Sequence, residues 1–163
     1  GASSVVLDNT YPIYKFEFIN IHPATDNVNF TVNFRDGGSN YDATKTSSSF
    51  GAYHDEGDSA TGVNYETSFD LAQSTSAQIL GIGGSIGNGN DESLSGTLQL
   101  FNPSSTTFVK HYISNIHFYN KDNYATNSFI AGYCNVTAAI DGVQFAMSSG
   151  NIDAGTIKMY GVV

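Results

Sequence analysis

The chain contains no tryptophan, one cysteine, three prolines and only six lysines and arginines. With Cys134 alone, no intrachain disulfide can form, and its place in an alternating run marks a buried, inert thiol rather than a nucleophile. Charged residues make up 13% of 163 residues, about half the usual share, and surface helices are normally filled with Glu, Lys, Arg and Ala. An all-α fold is excluded. No uninterrupted apolar stretch approaches the roughly 20 residues of a membrane span. No basic segment leads into an apolar one, so nothing marks a signal peptide. A leading Gly1 in place of Met points to a processed start or a fragment.

The shortage of bases leaves a formal charge of −9, carried entirely by residues 1–92. Binding to nucleic acid through its phosphates, or docking on an anionic membrane, is excluded on charge. Surface polarity has to come instead from 19 Ser, 14 Thr and 16 Asn, alongside 17 Gly, which is a composition of strands and turns. Eleven Phe and ten Tyr supply enough apolar area for a core, which rules out a disordered chain.

Alternation of period two runs through most of the sequence. In 11–20, Tyr14, Phe16 and Phe18 share one face, with Lys15 and Glu17 on the other. Residues 28–35 repeat the pattern with Phe30, Val32 and Phe34, and the short 22–27 connection predicts an antiparallel hairpin between the two. Residues 36–64 are rich in Gly, Ser, Asp and Thr and predict a long surface loop with at most one short strand. A strand is expected over 64–71. The 71–80 stretch is open between a helix and a short strand at 78–82, and 81–93 reads as a Gly-rich loop. Further strands are expected at 94–101, 108–119, 128–140, 143–147 and 156–163, with Asp141-Gly142 as a hairpin turn. Eight to ten strands in 163 residues with no βαβ unit predict one all-β domain, an antiparallel, jelly-roll-like β-sandwich.

Few residues carry chemistry. Gly83-Gly84-Ser85-Ile86-Gly87 fits the G-x-S-x-G nucleophile elbow, but Asn88-Gly89-Asn90 follows where that motif needs a helix. His22, His54, His111 and His117 never pair at metal-ligand spacing, and His111 and His117 are expected to be packed or edge residues of a strand. The acidic clusters holding Asp55, Asp58, Asp91 and Glu92 offer hard oxygens on loops, the ligands Ca²⁺ prefers, without the spacing of a known calcium loop. No other cofactor is called for, and an enzyme is not expected. In the absence of tryptophan, Tyr41, Tyr53, Tyr65, Tyr119, Tyr124 and Tyr160 are the aromatic candidates for a ligand or an interface, sugars included.

The last 24 residues carry a more specific signal. Ile140-Asp141-Gly142-Val143-Gln144-Phe145, then Ser148-Ser149-Gly150-Asn151-Ile152, then Ala154-Gly155-Thr156-Ile157-Lys158-Met159-Tyr160-Gly161 resembles the closing motif of a β-sandwich in virion structural proteins of tailed phages, especially those of marine and freshwater bacteria. Ala154 stands where that family has Ser, and Met159 where it has Leu. The 14–26, 34–41 and 96–103 stretches are similar to its opening and central strands. The resemblance implies a jelly-roll block of capsid decorations or tail fibres, located on the virion. It also implies assembly with copies of itself, a trimer being favoured, and with other virion proteins, and contact with host-surface glycan. It brings no catalytic motif. A secreted carbohydrate-binding module, Ca²⁺-dependent in one version, is the alternative.

Overall fold

The computed structural model describes residues 7–163, so Gly1 lies outside the described residues. Ten strands form two antiparallel sheets. In chain order they are β1 (Ile13–Pro23), β2 (Phe30–Arg35), β3 (Lys45–Asp55), β4 (Thr61–Tyr65), β5 (Gln78–Ile79), β6 (Leu94–Phe101), β7 (Lys110–Tyr119), β8 (Tyr124–Cys134), β9 (Gly142–Met147) and β10 (Ile152–Val162). Seven of them make one sheet in the order β10-β1-β6-β7-β8-β3-β4, and the other three make a small sheet in the order β5-β2-β9. Each strand of the small sheet is entered from the large one and returns to it, so the chain crosses between layers as in a jelly roll, although the layers are unequal. The fold is a single-domain all-β sandwich.

The core lies between the sheets because alternation places every second residue there. From the large sheet come Tyr14, Phe16, Phe18, Leu98, Leu100, Tyr112, Ile116, Phe118 and Ile130, and from the small sheet Phe30, Val32 and Phe34. Phe18 meets Phe30 edge-to-face at 5.1 Å between centroids, and Phe145 meets Phe16 at 5.1 Å and Phe18 at 5.0 Å.

Those contacts explain why β1 and β2 are not the hairpin that their sequence predicts. Both have one apolar face, and those faces are satisfied by opposing each other across the sandwich, so β1 pairs with β10 and β6, and β2 with β5 and β9. The Asp141-Gly142 hairpin fails for the same reason. Strand β8 ends at Cys134 in the large sheet, β9 lies in the small one, and the Asp141 carboxylate accepts from Arg35 Nε at 2.9 Å instead.

The expected loop at 36–64 holds most of two strands, including the eleven-residue β3. Its inward positions are small and polar rather than apolar, which hides it from a search for alternating hydrophobics. Ser47 Oγ donates to Gln78 Oε1 at 2.6 Å, Ser49 Oγ donates to the Glu66 carbonyl at 2.8 Å, and Gly51 lies directly under Ile82. A Cβ at Gly51 would come within 2.7 Å of the Asn127 carbonyl and 3.0 Å of Ile82 Cδ1, so only glycine fits. The 64–71 strand is shorter than expected and ends at Tyr65, and the 71–80 ambiguity resolves to the short strand β5. Residues 81–93 form a loop, but it is packed: Ile82 and Ile86 are buried, and the Ile82 amide donates to Ser128 Oγ at 2.8 Å.

Two lysines are fully buried on either side of Cys134, each directly opposite it on a neighbouring strand. Lys45 donates to Asn33 Oδ1 at 2.5 Å and to the Ala43 carbonyl at 2.7 Å, and Lys110 donates to the carbonyls of Val136 (2.7 Å), Ser105 (3.3 Å) and Ala138. They fasten the loops at one end of the sandwich to the sheet. Burial pulls Lys45 down to about 8 and pushes the Cys134 thiol up to about 12, so Cys134 stays a thiol at neutral pH.

Candidate interaction surface

The small sheet covers one face of the large sheet, and among the described residues no strand lies over the other face. On β7, His111, Ile113, Asn115 and His117 alternate outward with the buried Tyr112, Ser114, Ile116 and Phe118. His111 and His117 are therefore neither packed nor on an edge. They project into solvent from a strand in the middle of the sheet.

Pairing register converts the outward residues into rows across the strands. One row runs Asn115, Phe129, Phe50, Tyr65 across β7, β8, β3 and β4. Phe50 and Phe129 stack at 5.1 Å with only 10° between their planes, and the row stands up as a ridge. The rows on either side have small residues at their centres, Ala131 and Ser48 on one, Asn127 and Ala52 on the other. Each makes a shallow groove beside the ridge. One, of about 490 Å³, is walled by His111, Ile113 and Tyr133, and the other, of about 430 Å³, by His54, Val63 and His117. Large apolar side chains remain exposed here, with Phe50 at 46%, Ile113 at 52%, Tyr65 at 55% and Val63 at 74%.

None of the outward positions of β3, β4, β7 and β8 is Asp, Glu, Lys or Arg, in a chain of net charge −9. Its polar groups are also idle. Asn115, Asn127, His111 and His117 have no side-chain hydrogen bond to any described residue. Some amides elsewhere are engaged, Asn20 with Ser95, Asn135 with Gln73, Gln78 with Phe69 and Ile79, and Asn120 with the amides of Asp122 and Tyr124, while exposed ones such as Gln144 and Asn64 are free as well.

A second open feature is the edge strand β10. It pairs with β1 on one side and, among the described residues, has no strand on the other. Between Thr156 and Val162 its only charge is Lys158, while Ile157, Tyr160 and Val162 are exposed. At its other end Gly155 takes a φ of 108° at a bulge, and His22 Nδ1 lies 2.7 Å from Asp153 Oδ1 while its Nε2 lies 3.1 Å from the Gly89 carbonyl. The Asp153 hydrogen bond raises the affinity of His22 for its proton, against the opposing effect of partial burial.

The tyrosines singled out in the sequence do not form one site. Tyr65 stands on the ridge and donates to Asp70 Oδ2 at 2.7 Å, and Tyr160 is exposed on β10 at the opposite edge of the sheet. Tyr53 and Tyr124 meet edge-to-face at 5.8 Å near the β7–β8 turn, where Tyr119 donates to Asn123 Oδ1 at 2.7 Å. Tyr41 lies at another end, with the Arg35 guanidinium 5.5 Å from its ring centroid. The ridge itself came from Phe50 and Phe129. Their signal in the sequence is phase: once Tyr112 and Phe118 are assigned to the core, Ile113 and its paired rows must face out.

The acidic candidates serve turns. Asp55 accepts from Ser59 N (2.9 Å), Ser59 Oγ (2.5 Å) and Ala60 N (2.7 Å), and the Ser59 and Ala60 bonds hold its carboxyl below the usual range. Glu92 Oε2 accepts from the Gly89 amide at 2.6 Å. Asp58 is 3.3 Å from His54 Nε2, and Asp91 is exposed. Among the described residues, no three His, Cys, Asp or Glu side chains converge as metal ligands. Ser85 lies in coil, its carbonyl accepting from Lys121 N at 3.1 Å, next to the Val28–Ile86 bridge.

Compared with family models, curated proteins and solved structures, the chain matches none.

Proposed function

We propose that the chain is a non-enzymatic virion structural protein, a capsid-decoration or tail-appendage component of a tailed phage, which assembles with copies of itself and contacts host-surface glycan. The resemblance of residues 140–162 to the closing motif of such proteins supports it, and the β10 edge carries it. A strand edge offers a row of unpaired backbone donors and acceptors, and monomeric proteins block such edges with lysines, prolines, bulges or covering loops. Here the bulge at Gly155 guards one end, and the seven residues from Thr156 to Val162 have a single lysine and three exposed apolar side chains. A second copy adding at this edge would gain main-chain hydrogen bonds and bury those side chains. The reading requires no cofactor.

The test is native mass by light scattering behind a sizing column. The wild type is expected at a discrete multiple of 17.4 kDa, a trimer being favoured, and Thr156→Lys with Tyr160→Lys is expected to shift it to the monomer. A monodisperse wild-type monomer at micromolar concentration overturns assembly. The part of the outer face formed by β3, β4, β7 and β8, which has no Asp, Glu, Lys or Arg, favours one alternative, a secreted carbohydrate-binding module. That version predicts a monomer whose melting temperature rises with glycan, because a ligand that binds only the native state stabilises it.

A further inference from the structure

We infer that the two grooves flanking the Phe50–Phe129 ridge are a binding site for a neutral oligosaccharide, with Asn127 and His117 as its main hydrogen-bonding groups. The inference rests on the glycan contact proposed above and gives it a place on the molecule.

Three observations select this ligand. Asn115, Asn127, His111 and His117 are unpartnered on this face, whereas most polar side chains on the inner face of the same strands, Thr126 excepted, are bonded: Ser114 to the Thr97 carbonyl at 3.0 Å, Ser128 to the Ile82 amide at 2.8 Å, and Tyr112 to Gln78 at 3.2 Å. Amides and imidazoles both donate and accept, as sugar hydroxyls do. Alongside them stand the apolar surfaces of Phe50, Phe129, Ile113 and Val63, which suit the C–H faces of a sugar ring. The grooves also lack any charged side chain, and the particle is strongly acidic, so a neutral ligand is matched and an anionic one is not.

The same observations argue against other occupants. A second copy closing dry over this face would strip water from four polar side chains without offering each a partner, and every unsatisfied group costs stability. An extended peptide gains its affinity by adding to a strand edge, and the grooves run across paired strands.

The experiment is affinity electrophoresis of the full chain in native gels containing dextran, laminarin, galactomannan or hydroxyethylcellulose, with polygalacturonate as the acidic polymer. Retardation is expected with at least one neutral polymer. Asn127→Ala with His117→Ala is expected to weaken it roughly tenfold or more, as is Ala52→Gln, which fills a groove floor. Gln144→Ala, at an exposed position of β9 in the small sheet, is expected to leave it unchanged. Unchanged urea midpoints show that these variants are folded. Retardation by none of the neutral polymers, retardation by polygalacturonate alone, or wild-type retardation of the double variant overturns the inference. Native mass is measured on the same samples. A monomer that binds a neutral polymer overturns self-assembly alone, and an assembled particle that binds none overturns the grooves alone.

Discussion

The two faces of the seven-stranded sheet use the same strands for opposite purposes. Toward the small sheet, Tyr112, Ser114, Ser128 and Gln78 are buried with their polar atoms bonded, and aromatic rings interlock across the layers. Toward solvent, one residue along each strand, amides and imidazoles stand free beside the exposed Phe50 and the half-buried Phe129. Thr126 Oγ1, buried without a partner, is an exception on the inner side. Alternation alone produces this: a strand that must satisfy its inner face still displays every second residue, and what is displayed is free for a ligand.

Substitutions should separate the faces by size of effect. Phe30→Ala, at a fully buried position, is expected to cost about 3–5 kcal/mol in urea unfolding. Its outer counterpart Phe129→Ala should cost no more than about 1.5 kcal/mol, the worth of an aromatic pair. Equal losses would mean that the outer face is also part of the core.

Lys45 sharpens the comparison from the inside. Its folded value of about 8 lies below the ordinary 10.5, so between those pH values the unfolded chain holds a proton that the native one releases. Stability therefore rises with pH, by about 1 kcal/mol from pH 8 to 9. Above pH 9 the Cys134 thiol, ionising in the unfolded chain but held to about 12 when folded, increasingly offsets this rise. Urea midpoints across this range, with Lys45→Met as the control that abolishes the rise, check it.

The smallest effect is expected at His22. Because Asp153 raises its pKa above the ordinary 6.5, the stabilisation is complete below that value and is lost as pH climbs through the folded pKa. Amide protection at the start of β10 and in residues 81–93, taken relative to the base-catalysed intrinsic exchange rate, should fall as pH rises above 6.5, and His22→Gln should remove that fall.

Much of this was legible from residues alone. The sandwich and the strands at 94–101 and 142–147 follow from clean alternation. Strand β3 did not, because Ser47, Ser49 and Gly51 face inward and the apolar period is missing. Pairing was not legible either: β1 and β2 look like a hairpin until the partner of each apolar face is known. The groove residues were visible as letters, but the row that brings Phe50 beside Phe129 is a matter of register between strands 79 residues apart in sequence. No local pattern encodes it.

Strand β1 lies between β6 and β10, and β10 is the last of the described strands. A ribosome therefore exposes β1 well before its outer neighbour exists, and the closing step joins residues as far apart as Ile13 and Val162. Non-local pairing of this kind places folding in the slow, millisecond-to-second regime, and until the closing step β1 is a naked edge prone to pairing with other nascent chains. The edge that serves assembly in the finished protein has a transient counterpart one strand further in, and rapid expression at high temperature should favour aggregation through it.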